Sequence, residues 1–127
     1  MFRCTKYSYM ALEDLEVYQI ALKISDLAWD IYVDLPKEFK YATNQQFLEA
    51  ADSIGANISE GYGRYHYKDS KNFYYYARGS LYETSYWTGR LHKRCMLIGD
   101  NHNKMVKLLE TEKIKLNNFI NSIKPKA

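Results

Sequence analysis

Apolar residues recur at alternating spacings of four and three in four long segments of the chain, which is the pattern of amphipathic α-helices. In the first segment, from about residue 15 to residue 35, the stripe is formed by Val17, Ala21, Ile24, Ala28, Ile31 and Leu35. Pro36 predicts the end of this helix, because proline lacks an amide hydrogen and restricts the residue before it. A β-strand requires a period of two, so this pattern limits the chain to a helical fold.

The second segment, from about residue 43 or 44 to Gly61, has a thin apolar stripe. Its members are Phe47, Ala51, Ile54, Ile58 and Gly61. Gly55 also lies inside this segment, where glycine costs about 1 kcal/mol relative to alanine. A face of small residues lets a neighbouring helix approach closely, so we expect this helix to be packed tightly on one side.

Two further helices complete the predicted fold. The third begins near Asp69 or Ser70 and extends as far as Ile98, with Gly99 as a C-terminal glycine; its stripe is Phe73, Ala77, Ser80, Thr84, Trp87, Leu91 and Ile98. The fourth runs from about residue 103 to residue 123. The short links between segments predict an all-α, antiparallel, up-down-up-down four-helix bundle over residues 15–124. Residues 1–14 are expected to be a mobile N-terminal extension, and Met10 is an alternative start.

The sequence lacks the residues that several function classes require. The two cysteines, Cys4 and Cys95, have no metal-ligand spacing and no disulfide framework, which favours a reducing, cytoplasmic setting. The three histidines are scattered, and no Glu-x-x-His motif, phosphate-binding loop or nucleophile elbow occurs. No apolar run reaches the roughly 18–20 residues of a membrane span. We therefore predict a protein without catalytic residues, metal or cofactor.

The charge of the chain is divided between its two halves. Residues 1–60 contain five Lys and Arg against ten Asp and Glu, a net charge of −5. Residues 61–127 contain thirteen Lys and Arg against five Asp and Glu, a net charge of +8. This asymmetry indicates either an anionic partner for the basic half or an acidic and a basic face that meet within or between subunits.

A set of short motifs carries a family resemblance. The motifs are Leu15 to Gln19, Leu35 to Glu38, Gln45, Ala50 to Ile54, Asn57 to Gly61 with Arg64, and Ala77 to Ser80 with Glu83. In this order and spacing the chain resembles the small four-helix-bundle proteins encoded within intervening sequences of bacterial large-subunit rRNA genes, often labelled ribosomal-protein-like. It is also similar to a related branch, the accessory variability determinant of diversity-generating retroelements.

The resemblance implies a compact helical bundle that assembles as a ring-like homopentamer. Retroelement members bind nucleic acid and a reverse transcriptase, whereas intervening-sequence members have no agreed activity. Two positions depart from the family pattern: Gly55 stands where the family usually has proline, and Ser59 where it usually has alanine. These departures affect local helix geometry and surface, and leave the fold unchanged.

Five polar residues lie at the facing ends of the second and third segments: Asn57, Glu60, Arg78, Ser80 and Glu83. Because the link between these segments is short, we expect Glu60 and Arg78 to meet across the helix pair. A buried charge requires a partner, so a structural polar network that fixes the helix register is one interpretation. The alternative is a ligand or nucleic-acid site.

Eight tyrosines lie between Tyr62 and Tyr86, interleaved with Arg64, Lys68, Lys71 and Arg78. Aromatic rings beside cations are how single-stranded nucleic acid is often held. Tyrosine is also common in protein interfaces, where the ring is buried and the hydroxyl is wet. The second hypothesis assigns a subunit interface to Tyr74, Tyr75, Tyr82 and Tyr86.

A second basic cluster is predicted at one end of the bundle, formed by Arg90, Lys93 and Arg94 with Lys104 and Lys107. It is either a solvated face or a phosphate-binding face. Together with the resemblance, it predicts a non-enzymatic binding or scaffold protein for RNA or a ribonucleoprotein. The alternative is a purely structural homo-oligomeric interaction module without nucleic-acid contact.

Overall fold

Helices account for nearly all of the chain that is described. The computed structural model describes residues 11–40 and 43–123, and within them there is no β-strand. A 3₁₀ turn at Leu12–Asp14 precedes five α-helices: α1 (Glu16–Asp34), α2 (Lys37–Lys40), α3 (Thr43–Tyr62), α4 (Tyr67–Lys93) and α5 (Gly99–Ser122). The four long helices are those expected from the apolar period, so the all-α prediction is confirmed.

The four long helices share one core. Helix α3 packs against α1 and α4, and α5 packs against the same two helices. The predicted stripes of α1 and α3 are buried as expected, from Val17 to Leu35 and from Phe47 to Gly61. Helix α1 ends where proline was expected to end it: the Leu35 amide donates to the Tyr32 carbonyl, and the backbone is extended at Leu35, directly before Pro36.

Small residues bring α3 close to two neighbours. A Cβ atom added at Gly55 would lie 3.6 Å from the Ala21 Cβ on α1, which is ordinary contact. One added at Gly61 would lie 2.6 Å from the Tyr74 ring on α4, which is a clash. The predicted close approach therefore occurs on two sides, toward α1 at Gly55 and toward α4 at Gly61.

The buried stripe of α4 differs from the predicted one by a small rotation. Its members are Tyr74, Ala77, Leu81, Thr84, Thr88 and Leu91, while Phe73 and Trp87 lie half-buried at its edges. Thr84 donates its hydroxyl hydrogen to the Ser80 carbonyl and Thr88 to the Thr84 carbonyl, both at 2.7 Å. Because these hydroxyls bond within the helix, they enter the core without an unmet hydrogen bond.

The end of α4 also differs from the prediction. The helix stops at Lys93, and Cys95 adopts a left-handed backbone with φ of 61°. The Met96 amide donates to the Leu91 carbonyl and the Cys95 amide to the His92 carbonyl, which is a Schellman ending. Gly99, with φ of +70°, begins α5 instead of closing α4. Burial of Leu97 explains the early turn, since the connection must fold back onto the core.

The predicted N-terminal extension is only partly described. Residues 1–10, including Met10 and Cys4, lie outside the described residues. Residues 11–14 belong to the folded part, because Leu12 packs against the core and the Asp14 carboxylate accepts a hydrogen bond from the Ala11 amide at 3.3 Å. Among the described helices, none has the length and apolarity needed to cross a membrane.

Candidate nucleic-acid interface

The outer side of α4 presents a row of tyrosines between lysines. Its members, which we call the tyrosine face, are Lys68, Tyr75, Tyr82, Tyr86 and Lys93, and all are exposed. Their spacings of seven, seven, four and seven place them on one side of the helix. At 1.5 Å per residue the row extends over roughly 38 Å. The sequence pattern that buries one side of α4 therefore displays aromatic rings and cations on the other.

Two rings of the tyrosine face are in contact with cations. The Arg78 guanidinium carbon lies 4.9 Å from the centre of the Tyr75 ring, and the Lys113 Nζ lies 5.0 Å from the centre of the Tyr82 ring. Exposed contacts of this kind contribute about 0.5–1 kcal/mol each. Each cation lies over one face of its ring, so a base would stack on the opposite face, with positive charge close by for its phosphate.

Open space separates the rings. Gly79 lies between Tyr75 and Tyr82, and Gly89 follows Tyr86. A Cβ atom built at either glycine would have no neighbouring atom within 4 Å. The tyrosine face is thus a row of exposed rings with open space at Gly79 and Gly89.

Tyr74 is not available for this face. It was predicted at a subunit interface, but it lies in the core of the subunit and packs edge-on against Phe119, with ring centres 4.9 Å apart. The absent side chain of Gly61 makes room for its ring. Burial, together with the nearby Tyr62, raises the pKa of the Tyr74 hydroxyl to about 12. The interface prediction is corrected at this position, because a ring inside the core cannot contact another subunit.

The five polar residues predicted to form one network have separate partners. Glu60 pairs with Arg64 one turn later, at 2.7 Å on an exposed surface. Arg78 instead donates to the Asn117 side chain of α5 at 3.0 Å. The expected Glu60–Arg78 contact is corrected accordingly, because Glu60 pairs with a cation just beyond the end of its own helix.

The other three members make local contacts. The Asn57 amide donates to the Ser53 carbonyl at 2.9 Å, and the Ser80 carbonyl accepts from Thr84. The exposed Glu83 carboxylate accepts from the Trp87 indole at 3.3 Å. All three contacts join residues four apart on one helix, so they support helix geometry and do not link two helices.

The predicted basic residues fall into separate groups. Lys68, Arg90, Lys93 and Arg94 are exposed on α4 or at its end, and Lys71 is half-buried. Arg64 is engaged by Glu60 and lies over the Phe73 ring, 4.5 Å from its centre. Lys104 and Lys107 instead line a groove between α1 and α5, so the structure associates them with α1.

The groove has a volume of about 540 Å³ and a mixed lining. Three lysines and three apolar side chains form most of this lining: Lys23, Lys104, Lys107, Ile20, Leu27 and Leu108. We call the groove that these six residues line the lysine groove. The contribution of Lys23 was not predicted. Lys23 lies between the buried Ile20 and the half-buried Leu27, at the edge of the apolar stripe of α1. This position is the only feature of the sequence that could have indicated its place in the groove.

Two stacked histidines join the end of α4 to the start of α5, and they were also missed. The rings of His92 and His102 lie 3.6 Å apart and nearly parallel. His92 Nδ1 lies 2.9 Å from the Leu97 carbonyl, which can only accept, so this nitrogen carries a hydrogen. Burial and the neighbouring His92 lower the pKa of His102. In the described part of the chain, no group of three or more His, Cys, Asp or Glu residues is arranged to hold a metal ion.

One carboxyl group lies in the core. Glu112 is fully buried, and neither of its carboxylate oxygens has a hydrogen-bond partner within the described structure. Burial, with a smaller effect of Glu16, raises its pKa to about 9. The side chain is therefore a neutral acid at ordinary pH. Its position follows from the apolar stripe of α5, which Glu112 continues between Leu109 and Leu116.

Comparisons with known proteins agree with this fold. The model of the 23S rRNA-intervening sequence protein family matches residues 13–118. The chain is also similar to the crystal structure of a protein of unknown function from the S23 ribosomal protein family of Bacteroides thetaiotaomicron. That superposition has a TM-score of 0.77 and 23% sequence identity, and it covers 84% of this chain and 96% of that chain. At this identity it shows a shared fold. No curated protein matches the chain.

Proposed function

The chain belongs to the 23S rRNA-intervening sequence protein family, and from that premise we propose that it is a non-enzymatic protein that binds single-stranded RNA along the tyrosine face. The observation that carries this proposal is the row of exposed rings on α4, with cations of α4 and α5 in contact with two of the rings. Stacking on an aromatic ring contributes about 1–3 kcal/mol per base, and lysines at both ends of the row supply phosphate contacts.

The basic charge of the second half of the chain supports the same proposal. Residues 61–127 carry a net charge of +8, and Arg90 and Arg94 extend the cationic surface beyond Tyr86. Binding of this kind follows the backbone and the base faces and does not read base edges, so we propose little sequence specificity. In this role the protein is a scaffold for RNA or a ribonucleoprotein in the cytoplasm, with no cofactor.

We further propose that the four long helices run antiparallel, up-down-up-down, and that subunits assemble as a ring-like homopentamer. The contacts Arg78–Asn117 and Tyr82–Lys113 support opposite directions for α4 and α5, because numbers rise along one helix as they fall along the other. The proposed ring offers several tyrosine faces to one RNA strand, which would raise the avidity of weak individual sites.

The test is binding of a fluorescent single-stranded RNA of mixed sequence, followed by anisotropy at about 50 mM and about 200 mM salt. We expect measurable binding at low salt that weakens as salt rises. Tyr82→Ala and Tyr86→Ala are each expected to raise Kd by about fivefold or more. Tyr76→Ala is the matched control, because Tyr76 is an exposed tyrosine of α4 that lies off the row and packs edge-on against Phe73.

Absence of binding at low salt overturns the RNA proposal, as does an equal loss in the Tyr76→Ala control. A structural homo-oligomeric module is the second candidate function. It is favoured by the open space at Gly79 and Gly89, which leaves room for a helix of a sister subunit beside Tyr75, Tyr82 and Tyr86. In that case Tyr86→Ala would lower the assembled mass in light scattering, and the wild type would not bind RNA.

A further inference from the structure

We propose that an apolar ridge on the outer side of α1 docks into the lysine groove of a second copy of this chain. The inference rests on the self-association in the proposed function, and it names the two surfaces that would mediate it. These surfaces lie away from the tyrosine face, so assembly would leave that face open to RNA.

The ridge consists of Leu22, Trp29 and Val33, whose exposed fractions are 44%, 55% and 41%. Spacings of seven and four place the three side chains on one side of α1, opposite its buried stripe. The Trp29 ring stacks on Tyr32, with centres 6.1 Å apart, which holds it in place. Large apolar side chains grouped on one exposed helix face mark an interaction surface, and tryptophan is the residue most often found as its anchor.

Acidic residues accompany the ridge. Asp26 and Asp30 lie between its members in sequence and are exposed on the same outer side of α1. The ion pairs seen within the described residues are Arg64–Glu60 and Lys115–Glu16, so neither aspartate has an ion-pair partner among them. The outer side of α1 is therefore an apolar ridge bordered by exposed negative charge.

The lysine groove has the complementary composition. Its apolar part is formed by Ile20, Leu27 and Leu108, and its charged part by Lys23, Lys104 and Lys107. None of these lysines has an ion pair with a described residue. Glu16, at one end of the groove, is held by Lys115 at 3.2 Å. The groove thus offers an apolar floor with unpaired positive charge at its edges.

Charge favours the α1 ridge over two other segments of the chain as occupants of this groove. Residues 1–10 contain Arg3 and Lys6 but no acidic side chain, and residues 124–127 contain Lys124 and Lys126 but no acidic side chain. Either segment would place cations against three lysines. The α1 ridge instead brings Asp26 and Asp30 to the lysines and Trp29 to the apolar floor, which is the opposite-charge arrangement that favours association.

Because the proposed assembly is a ring, we propose a heterologous contact, in which the ridge of each subunit enters the groove of the next. Each subunit then uses both surfaces, so reversal of either surface weakens every junction in a uniform sample. Reversal of both surfaces restores opposite charges at every junction, which allows a rescue experiment.

The experiment uses three charge-reversed forms of the full chain. The groove form carries Lys104→Glu and Lys107→Glu, the ridge form carries Asp26→Lys and Asp30→Lys, and the combined form carries all four changes. Sedimentation velocity measures assembled mass, and circular dichroism confirms that each form is folded. The matched control is Lys37→Glu with Glu38→Lys, which reverses two exposed charges on α2 and preserves the net charge.

We expect the groove form and the ridge form alone to dissociate, with Kd raised by about tenfold or more. Mixed together, they should associate again, since an intact ridge meets an intact groove at one junction and a reversed ridge meets a reversed groove at the next. The combined form should recover the wild-type mass, and the control should retain it. RNA affinity of the groove form is compared with that of the ridge form at equal subunit concentration. A weaker affinity of the groove form would show that Lys104 and Lys107 contact RNA directly.

Each outcome decides one proposal. If the wild type assembles and the reversed forms keep its mass, the two surfaces are wrong while self-association stands. If the mixture stays dissociated, the ridge and the groove do not face each other and the inference fails. A wild type that stays monomeric at every concentration overturns the self-association itself, and RNA binding along the tyrosine face is then judged by its own test.

Discussion

Tyr74 and Tyr75 are neighbours on α4 but lie in opposite environments. Tyr74 is 4% exposed and fills the space that Gly61 leaves, whereas Tyr75 is 41% exposed and carries Arg78 on its ring. Helix α5 repeats the contrast, with Glu112 buried and unpaired beside Lys113, which lies over the Tyr82 ring. Tyrosines and charged residues occur on both the inner and the outer faces of these helices, so the environment of a side chain decides whether it stabilises the fold or is available to a partner.

The largest expected effect tests the two tyrosines directly. Tyr74→Ala should lower the free energy of unfolding by about 3–5 kcal/mol, because it empties a core site next to Phe119. Tyr75→Ala should change it by less than about 1 kcal/mol, because only an exposed ring and its cation contact are lost. Urea unfolding of both variants gives the comparison. Similar losses in the two would contradict the assignment of inner and outer faces.

The buried carboxyl of α5 should make stability depend on pH. In the unfolded chain the carboxyl of a glutamate titrates near 4.5, whereas burial keeps the pKa of Glu112 at about 9 in the folded state. Between these values the folded state binds one more proton at Glu112, so the contribution of Glu112 to stability is greatest below about pH 4.5. It falls by up to about 1.4 kcal/mol per pH unit as the pH rises toward 9.

Glu112→Gln removes this titration and is the matched variant for that prediction. Denaturant midpoints of the wild type and Glu112→Gln, measured from pH 5 to pH 9, should diverge steadily, with the wild type losing stability relative to the variant. Other titrating groups are common to both proteins and cancel in the difference. A constant difference across the range would show that Glu112 is ionised in the folded protein.

The smallest expected effects on stability come from substitution of two glycines, the buried Gly61 of α3 and the exposed Gly79 of α4. Gly61→Ala should destabilise by about 1–3 kcal/mol, because the added carbon meets the Tyr74 ring and the Ser70 carbonyl oxygen at 3.0 Å or less. Gly79→Ala should stabilise by up to about 1 kcal/mol, since nothing obstructs the methyl group and alanine favours the helix. Thermal melts of both variants check the two signs. If Gly79→Ala instead reduces the assembled mass, a sister subunit packs against the tyrosine face.

The local sequence pattern was sufficient to predict the helices and to identify the family. The buried stripes of α1 and α3 follow the period of their apolar residues, and Pro36 ends α1 as expected. The family resemblance carried by Asn57 to Gly61 and Ala77 to Ser80 is confirmed by the match over residues 13–118. The end of α4 was predicted less well, because Cys95 takes the left-handed position that was expected of Gly99.

The sequence by itself thus determined which segments are helical and roughly which side of each is buried, because both depend on residues three and four apart. Only the tertiary structure decided that Tyr74 and not Phe73 enters the core, that Arg78 reaches Asn117 and not Glu60, and that Lys23 joins Lys104 and Lys107. These outcomes depend on how each helix is rotated about its axis and which helix lies beside it. A rotation of one residue position, about 100°, exchanges inner and outer side chains while the local periodicity changes very little.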